Sequence, residues 1–297
     1  MTAAEPAGPR LFEGLCDDAA VFPPGNLPLA QAVPAHLEHQ AGWYHRLVGP
    51  FVVAAAALPE LAGLLLGRPA GSFDVALTVP EPAAVAGALA AADGIAAVRV
   101  VAVEVAVPAG IGAGGVVPVL DAARAGCPGV PVFVELPRDG RRPDLVRALA
   151  GTGLLAKLRT GGVRAELYPG EAELARALVA TARAGLPVKA TAGLHHAIRN
   201  TDPVTGFEQH GFLNVLTAVD AALDGADAAD AERLLAERDP EVLADRISAL
   251  ADRSARLREQ FRSLGTCSIV EPLDELVALG LLDPALLSTT APIGVPR

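Results

Sequence analysis

Lysine is almost missing from this chain. Of 24 basic residues only Lys157 and Lys189 are lysines, which leaves 22 arginines, so a plain positive charge is elsewhere supplied by guanidinium. Cysteine is sparse too. Cys16, Cys127 and Cys267 lie far apart, in no Cys-x-x-Cys spacing, which excludes a disulfide frame or a zinc ribbon and fits a reducing compartment, so a cytoplasmic protein is expected. No basic stripe is present: the formal charge is -10 with arginines scattered among acids, which argues against nucleic acid as a partner. Long apolar runs are absent as well. Although 52% of residues are hydrophobic, much of that is alanine, and the longest run, 51–67, is broken by Pro59 and Glu60, so no membrane partner is expected. Residues 1–10 lack a basic segment followed by an apolar one, and no secretory signal is read there.

What is present is a regular beat. Apolar runs at 51–54, 73–79, 97–107, 130–136, 154–158 and 188–191 read as strands, and helical segments at 58–66, 81–92, 117–125, 143–150 and 171–184 separate them. Strand–helix units at this spacing imply parallel strands with helical crossovers. A seventh strand, or the start of a helix, is read at 212–216 and an eighth strand at 267–270, with acidic, alanine-rich helices between them over 226–261. The expected fold is one α/β domain across residues 1–297, a (β/α)8 TIM-type barrel with residues 1–48 as an N-terminal helical arm. A doubly wound open parallel sheet is the alternative. Within the arm, Pro23-Pro24-Gly25 makes 11–26 a loop, Asp17 and Asp18 fit either caps or the acid of a site, and 29–47 reads as an amphipathic helix with His36 and His39 on it. The glycine-rich stretch 110–115 lies midway along the chain and reads as a turn, so no dinucleotide or other cofactor is expected.

Both lysines follow short apolar runs and both open the spacing Lys-x-x-x-Gly, in Lys157-Leu158-Arg159-Thr160-Gly161 and Lys189-Ala190-Thr191-Ala192-Gly193. An ammonium, unlike a guanidinium, can lose its proton and attack a carbonyl. Strand alternation places Lys157 and Arg159 on one face with Ala156 and Leu158 on the other, and Lys189 and Thr191 opposite Val188 and Ala190. If the polar face looks into a barrel, the two ammonium groups are near neighbours, and their repulsion is expected to lower the pKa of at least one.

A lysine on one strand and another on the next, each followed closely by glycine, resembles the deoxyribose-phosphate-aldolase type of Schiff-base barrel at these two strands. That resemblance implies a class I aldolase-type lyase, with Lys157 as the Schiff-base residue and Lys189 as its activator. The sequence departs from the pattern in carrying Arg159 where a small hydroxyl residue is expected and in following Gly193 with Leu194-His195-His196. The Arg-Thr-Gly-Gly and Gly-Leu-His-His segments also resemble those of bacterial proteins with no assigned activity.

Polar residues concentrate after Lys189, where His195, His196, His210, Asn200 and Asn214 fall within a short span. His195 or His196 suits a general acid or base, and Glu135, at a strand end, suits a proton relay. Arg159 with Thr160, Gly161 and Gly162 suits a carboxylate or phosphate on a small anionic substrate, with Thr191, His210, Asn214 and Glu271 completing the binding set; a structural pair of Arg159 with Glu135 is the plainer reading. Two other function classes stay open: a divalent-metal hydrolase or isomerase using these carboxylates and histidines, although no metal-ligand spacing is found, and a non-catalytic binding protein on a barrel scaffold. Association with copies of itself also stays open.

Overall fold

The computed structural model describes residues 8–284. Seven strands run in chain order, β1 (Cys16–Asp18), β2 (Val48–Ala54), β3 (Phe73–Val79), β4 (Val98–Val105), β5 (Val132–Glu135), β6 (Leu155–Arg159) and β7 (Val188–Thr191). A small antiparallel hairpin, β8 (Asn200–Thr201) and β9 (Glu208–Gln209), stands apart from the main sheet, and β10 (Phe261–Thr266) completes the barrel. All eight barrel pairings are parallel, and β1 closes the ring by pairing with β2 on one side and β10 on the other. The protein is therefore a closed (β/α)8 barrel, and the open sheet is ruled out.

Two of its strands are not where the sequence pattern put them. Residues 16–18, inside the segment read as an N-terminal arm, form the first strand of the barrel. The eighth strand ends at Thr266 rather than starting at Cys267. The segment 212–216 is the start of a helix, Phe212–Leu223, which is buried on nearly every side; an all-round apolar helix carries no face signal to separate it from a buried strand.

Alternation along the strands divides the core in two. Outward residues such as Phe51, Val53, Val103, Ala156, Leu158, Val188, Ala190 and Leu264 pack under the helices. The inward set is Ala19, Val52, Ala76, Ala102, Phe133 and Leu155. Half of that inner set is alanine, and β10 adds only Ser263 and Gly265, so the lumen is thinly filled and leaves room for long polar side chains. No helix of the described residues is long and apolar enough to cross a membrane.

Candidate active site

Lys157 on β6 and Lys189 on β7 are direct Cα partners, and Glu135 on β5 is the partner of Lys157 on the other side. Both lysines point inward, as alternation requires. Glu104 of β4, which the sequence reading did not single out, bridges them: its Oε2 lies 2.8 Å from Lys157 Nζ, and its Oε1 accepts from Lys189 Nζ. Lys157 also pairs with Glu135 at 3.0 Å, and Glu135 with Arg159 at 3.0 Å. On the opposite side Lys189 pairs with Asp17 of β1, which accepts a 2.7 Å hydrogen bond from Ser263 Oγ. The ring of Phe133 lies 5.4 Å from Lys189 Nζ. Charges thus alternate through the lumen in the order Asp17, Lys189, Glu104, Lys157, Glu135, Arg159.

This arrangement corrects the expected repulsion between the two amines. Burial lowers the pKa of each lysine, but the carboxylates outweigh it: Glu104 and Glu135 hold Lys157 above the ordinary lysine range, and Asp17 and Glu104 do the same for Lys189. Glu104 shows the reciprocal effect. Burial alone raises a carboxyl pKa, yet the two ammonium groups bring Glu104 down to about 2. Lys157 and Arg159 likewise depress Glu135. At neutral pH both lysines are therefore ammonium ions, each held between two carboxylates.

Above this network, at the C-terminal ends of the strands, opens a cavity of about 500 Å³. Glu104, Glu135, Lys157, Arg159, Thr191 and His195 face it, against apolar walls that include Phe22, Val52 and Leu167. Lys189, 1% exposed, lies beneath its floor. A larger depression of about 1050 Å³ opens at the other end of the barrel under Asp17 and Ser263, and neither lysine lines it. In barrels of this kind reacting groups sit at the C-terminal end, so the smaller cavity is the candidate site.

The repeated Lys-x-x-x-Gly spacing has a packing reason. Gly161 and Gly193 touch: a Cβ on Gly161 would stand 2.7 Å from the Gly193 Cα, and Gly193 itself has φ +72°. Ala192 beside it is also left-handed at φ 65°, a conformation that costs a non-glycine residue on the order of 1 kcal/mol. Thr160 secures the crossing by donating its hydroxyl to the Ala192 carbonyl at 2.6 Å. Thr160 and Gly161 therefore hold the two loops together and do not face the cavity, whereas Gly162 lines it.

No protein-family model matches this chain, and no curated protein does. Among solved structures, one of 2,3-dimethylmalate lyase, a PEP mutase/isocitrate lyase superfamily member, is similar at 12% identity and a TM-score of 0.33, covering 78% of this chain and 84% of that one.

The remaining predicted residues divide. Glu271 reaches His195 Nδ1 at 3.3 Å from the first turn of the helix Val270–Ala278. His196 turns away from the barrel mouth to donate to Glu275 at 2.6 Å. His210 and Asn214 are not at the cavity. His210 is fully buried and donates to the Pro169 carbonyl at 2.7 Å, and burial lowers its pKa. Asn214 accepts from the Arg199 amide and donates to the carbonyls of Leu234 and Glu237. Both satisfy backbone groups, which explains polar residues in a buried segment without chemistry. For the metal reading, no group of three or more His, Cys, Asp or Glu among the described residues is placed to hold an ion. His36, His39 and His45 have separate partners in Asp18, Tyr44 and the Gly42 carbonyl.

Proposed function

We propose that this protein is a lyase of the class I aldolase type, in which Lys157 condenses with a small carbonyl compound that carries a carboxylate or phosphate. The observation that carries the reading is the position of Lys157 Nζ at the foot of the cavity between two carboxylates, Glu104 and Glu135. Those carboxylates hold the resting amine charged, which opposes its attack. They favour the product for the same reason: a protonated Schiff base is a cation in nearly the same place, and it keeps both partners.

Each residue then has a task. The Nε of Arg159 is committed to Glu135, while the rest of its guanidinium, in a side chain 39% exposed, faces the cavity and meets the anionic group of the substrate. Glu135 takes a proton from Lys157, and the freed amine attacks the carbonyl carbon. The carbinolamine oxygen leaves as water with protons supplied by Glu135 and the amine, giving the iminium. That cation accepts the electron pair of the adjacent carbon–carbon bond as it breaks, after a carboxylate has taken the proton of the β-hydroxyl. Lys189 stays in its pair with Asp17 and Glu104 and fixes the charge of Glu104 from below.

Reductive trapping tests the proposal. Borohydride added to the protein with a panel of aldehydes and 2-keto acids should leave a stable adduct on the Lys157 peptide and none on the Lys189 peptide. Because the amine fraction of a lysine with a raised pKa grows with pH, trapping should accelerate from pH 7 toward pH 9. No adduct with any member of the panel, while the same anions raise the melting temperature, would leave the protein a binder and end the lyase reading.

A further inference from the structure

At the rim of the same cavity, three side chains from three elements converge. Cys267 follows β10 directly, His195 stands in the loop after β7, and Glu271 lies in the first turn of the next helix. The Cys267 Sγ faces the edge of the His195 ring, 3.5 Å from Nδ1 and 3.8 Å from Nε2. Glu271 Oε2 lies 3.3 Å from Nδ1. Both Cys267 and His195 also line an adjoining depression of about 390 Å³, so the sulfur stands in the wall between two spaces. The other thiols are placed differently: Cys16 is buried, and Cys127 borders the opposite end of the barrel.

We propose that Cys267 is a nucleophile, activated by His195 and Glu271, for small electrophiles that carry a carboxylate. Glu271 accepts a hydrogen bond from Nδ1–H and so orients the ring, leaving Nε2 to exchange a proton with the thiol. The sulfur then forms a bond to the electrophilic carbon while the leaving group departs with its electron pair. Where the electrophile is a double bond conjugated to a carbonyl, no group leaves, and the adjacent carbon takes its proton from Nε2. Burial lowers the His195 pKa, but contact with Cys267 and Glu271 raises it to about 9, so the ring beside the sulfur is cationic at neutral pH. The other titratable groups facing this cluster are Tyr168, His196 and Asp202, all bordering the adjoining depression. Lys157 and Arg159 face the shared cavity together with Glu104 and Glu135, and the exposed part of the Arg159 guanidinium is the group that meets a carboxylate there.

Alkylation of the native protein reads this out. Iodoacetate and iodoacetamide are applied in parallel from pH 6 to pH 9, and each cysteine peptide is quantified by mass spectrometry. Cys267 should react at least about tenfold faster than Cys127 across this range. Iodoacetate should also gain on iodoacetamide relative to their rates with free cysteine. His195→Gln should cut the Cys267 rate by about tenfold or more, and Glu271→Gln, a change at a half-exposed side chain, should give a smaller fall in the same direction. A Cys267 rate no greater than that of Cys127, or one unchanged in both variants, would overturn the proposal. Trapping at Lys157 and alkylation at Cys267 are read on different peptides, so either reading can fail while the other stands.

Discussion

At the scale of single residues, Glu104 joins the two lysines. Among the described residues it alone pairs with both lysines, so Glu104→Gln leaves two ammonium groups facing each other in a buried lumen with one carboxylate each. The expected loss is about 3 to 5 kcal/mol of unfolding free energy, the usual cost of breaking a buried pair from one side, measured by urea denaturation at pH 7. A loss below about 1 kcal/mol would mean that the pair behaves as a surface contact. Scarcity made the lysines legible in the sequence, because two ammonium groups among 22 guanidinium groups ask for a reason. Glu104 had no such mark. It lies in Val-Val-Ala-Val-Glu-Val, which reads as one apolar strand, and only its parity with Ala102 puts it in the lumen. His210 and Asn214 misled for the converse reason: their rarity in this composition is real, but what they satisfy is backbone.

Among the elements, the strands from β2 to β7 were visible because each is apolar on at least one face and bounded by turn residues. The two missed strands, β1 and β10, are short of apolar runs because they deliver polar or small residues inward, Asp17 from one and Ser263 and Gly265 from the other. The polar lining of the lumen thus removes the pattern by which its walls are recognised. The glycine contact between the loops after β6 and β7 is testable on its own. Gly193→Ala forces a Cβ to within 2.9 Å of the Gly161 Cα and 2.8 Å of the Tyr168 ring, at a φ that disfavours side chains. It should lower stability by about 1 to 3 kcal/mol and slow trapping at Lys157, read from the melting temperature and the adduct yield. A variant as stable and reactive as the parent would show that the two loops need not touch.

For the whole molecule, the closed ring makes the charge network a property of the fold, and acid should expose it. Glu104 has a folded-state pKa below its ordinary value, so its stabilising contribution is present above the ordinary carboxyl range and is lost as pH falls toward about 2. Asp17 works in the opposite sense, since burial raises its pKa and the folded state takes its proton more readily. The stability gap between the parent protein and Glu104→Gln should therefore narrow as pH is lowered from about 5 to 3, followed by urea denaturation at each pH; a constant gap would mean that the Glu104 charge contributes nothing. The most direct measurement uses the scarcity of lysine itself. With lysine alone labelled with nitrogen-15, the protein gives two side-chain signals, assignable by Lys157→Met, and their pH titration reports both amines. Held by Asp17, Glu104 and Glu135, both should remain ammonium past pH 10, and a keto acid with borohydride should convert the Lys157 signal alone. A lysine that titrates near pH 7 to 8, or two signals with the exchange of solvent-exposed amines, would contradict the shared buried network.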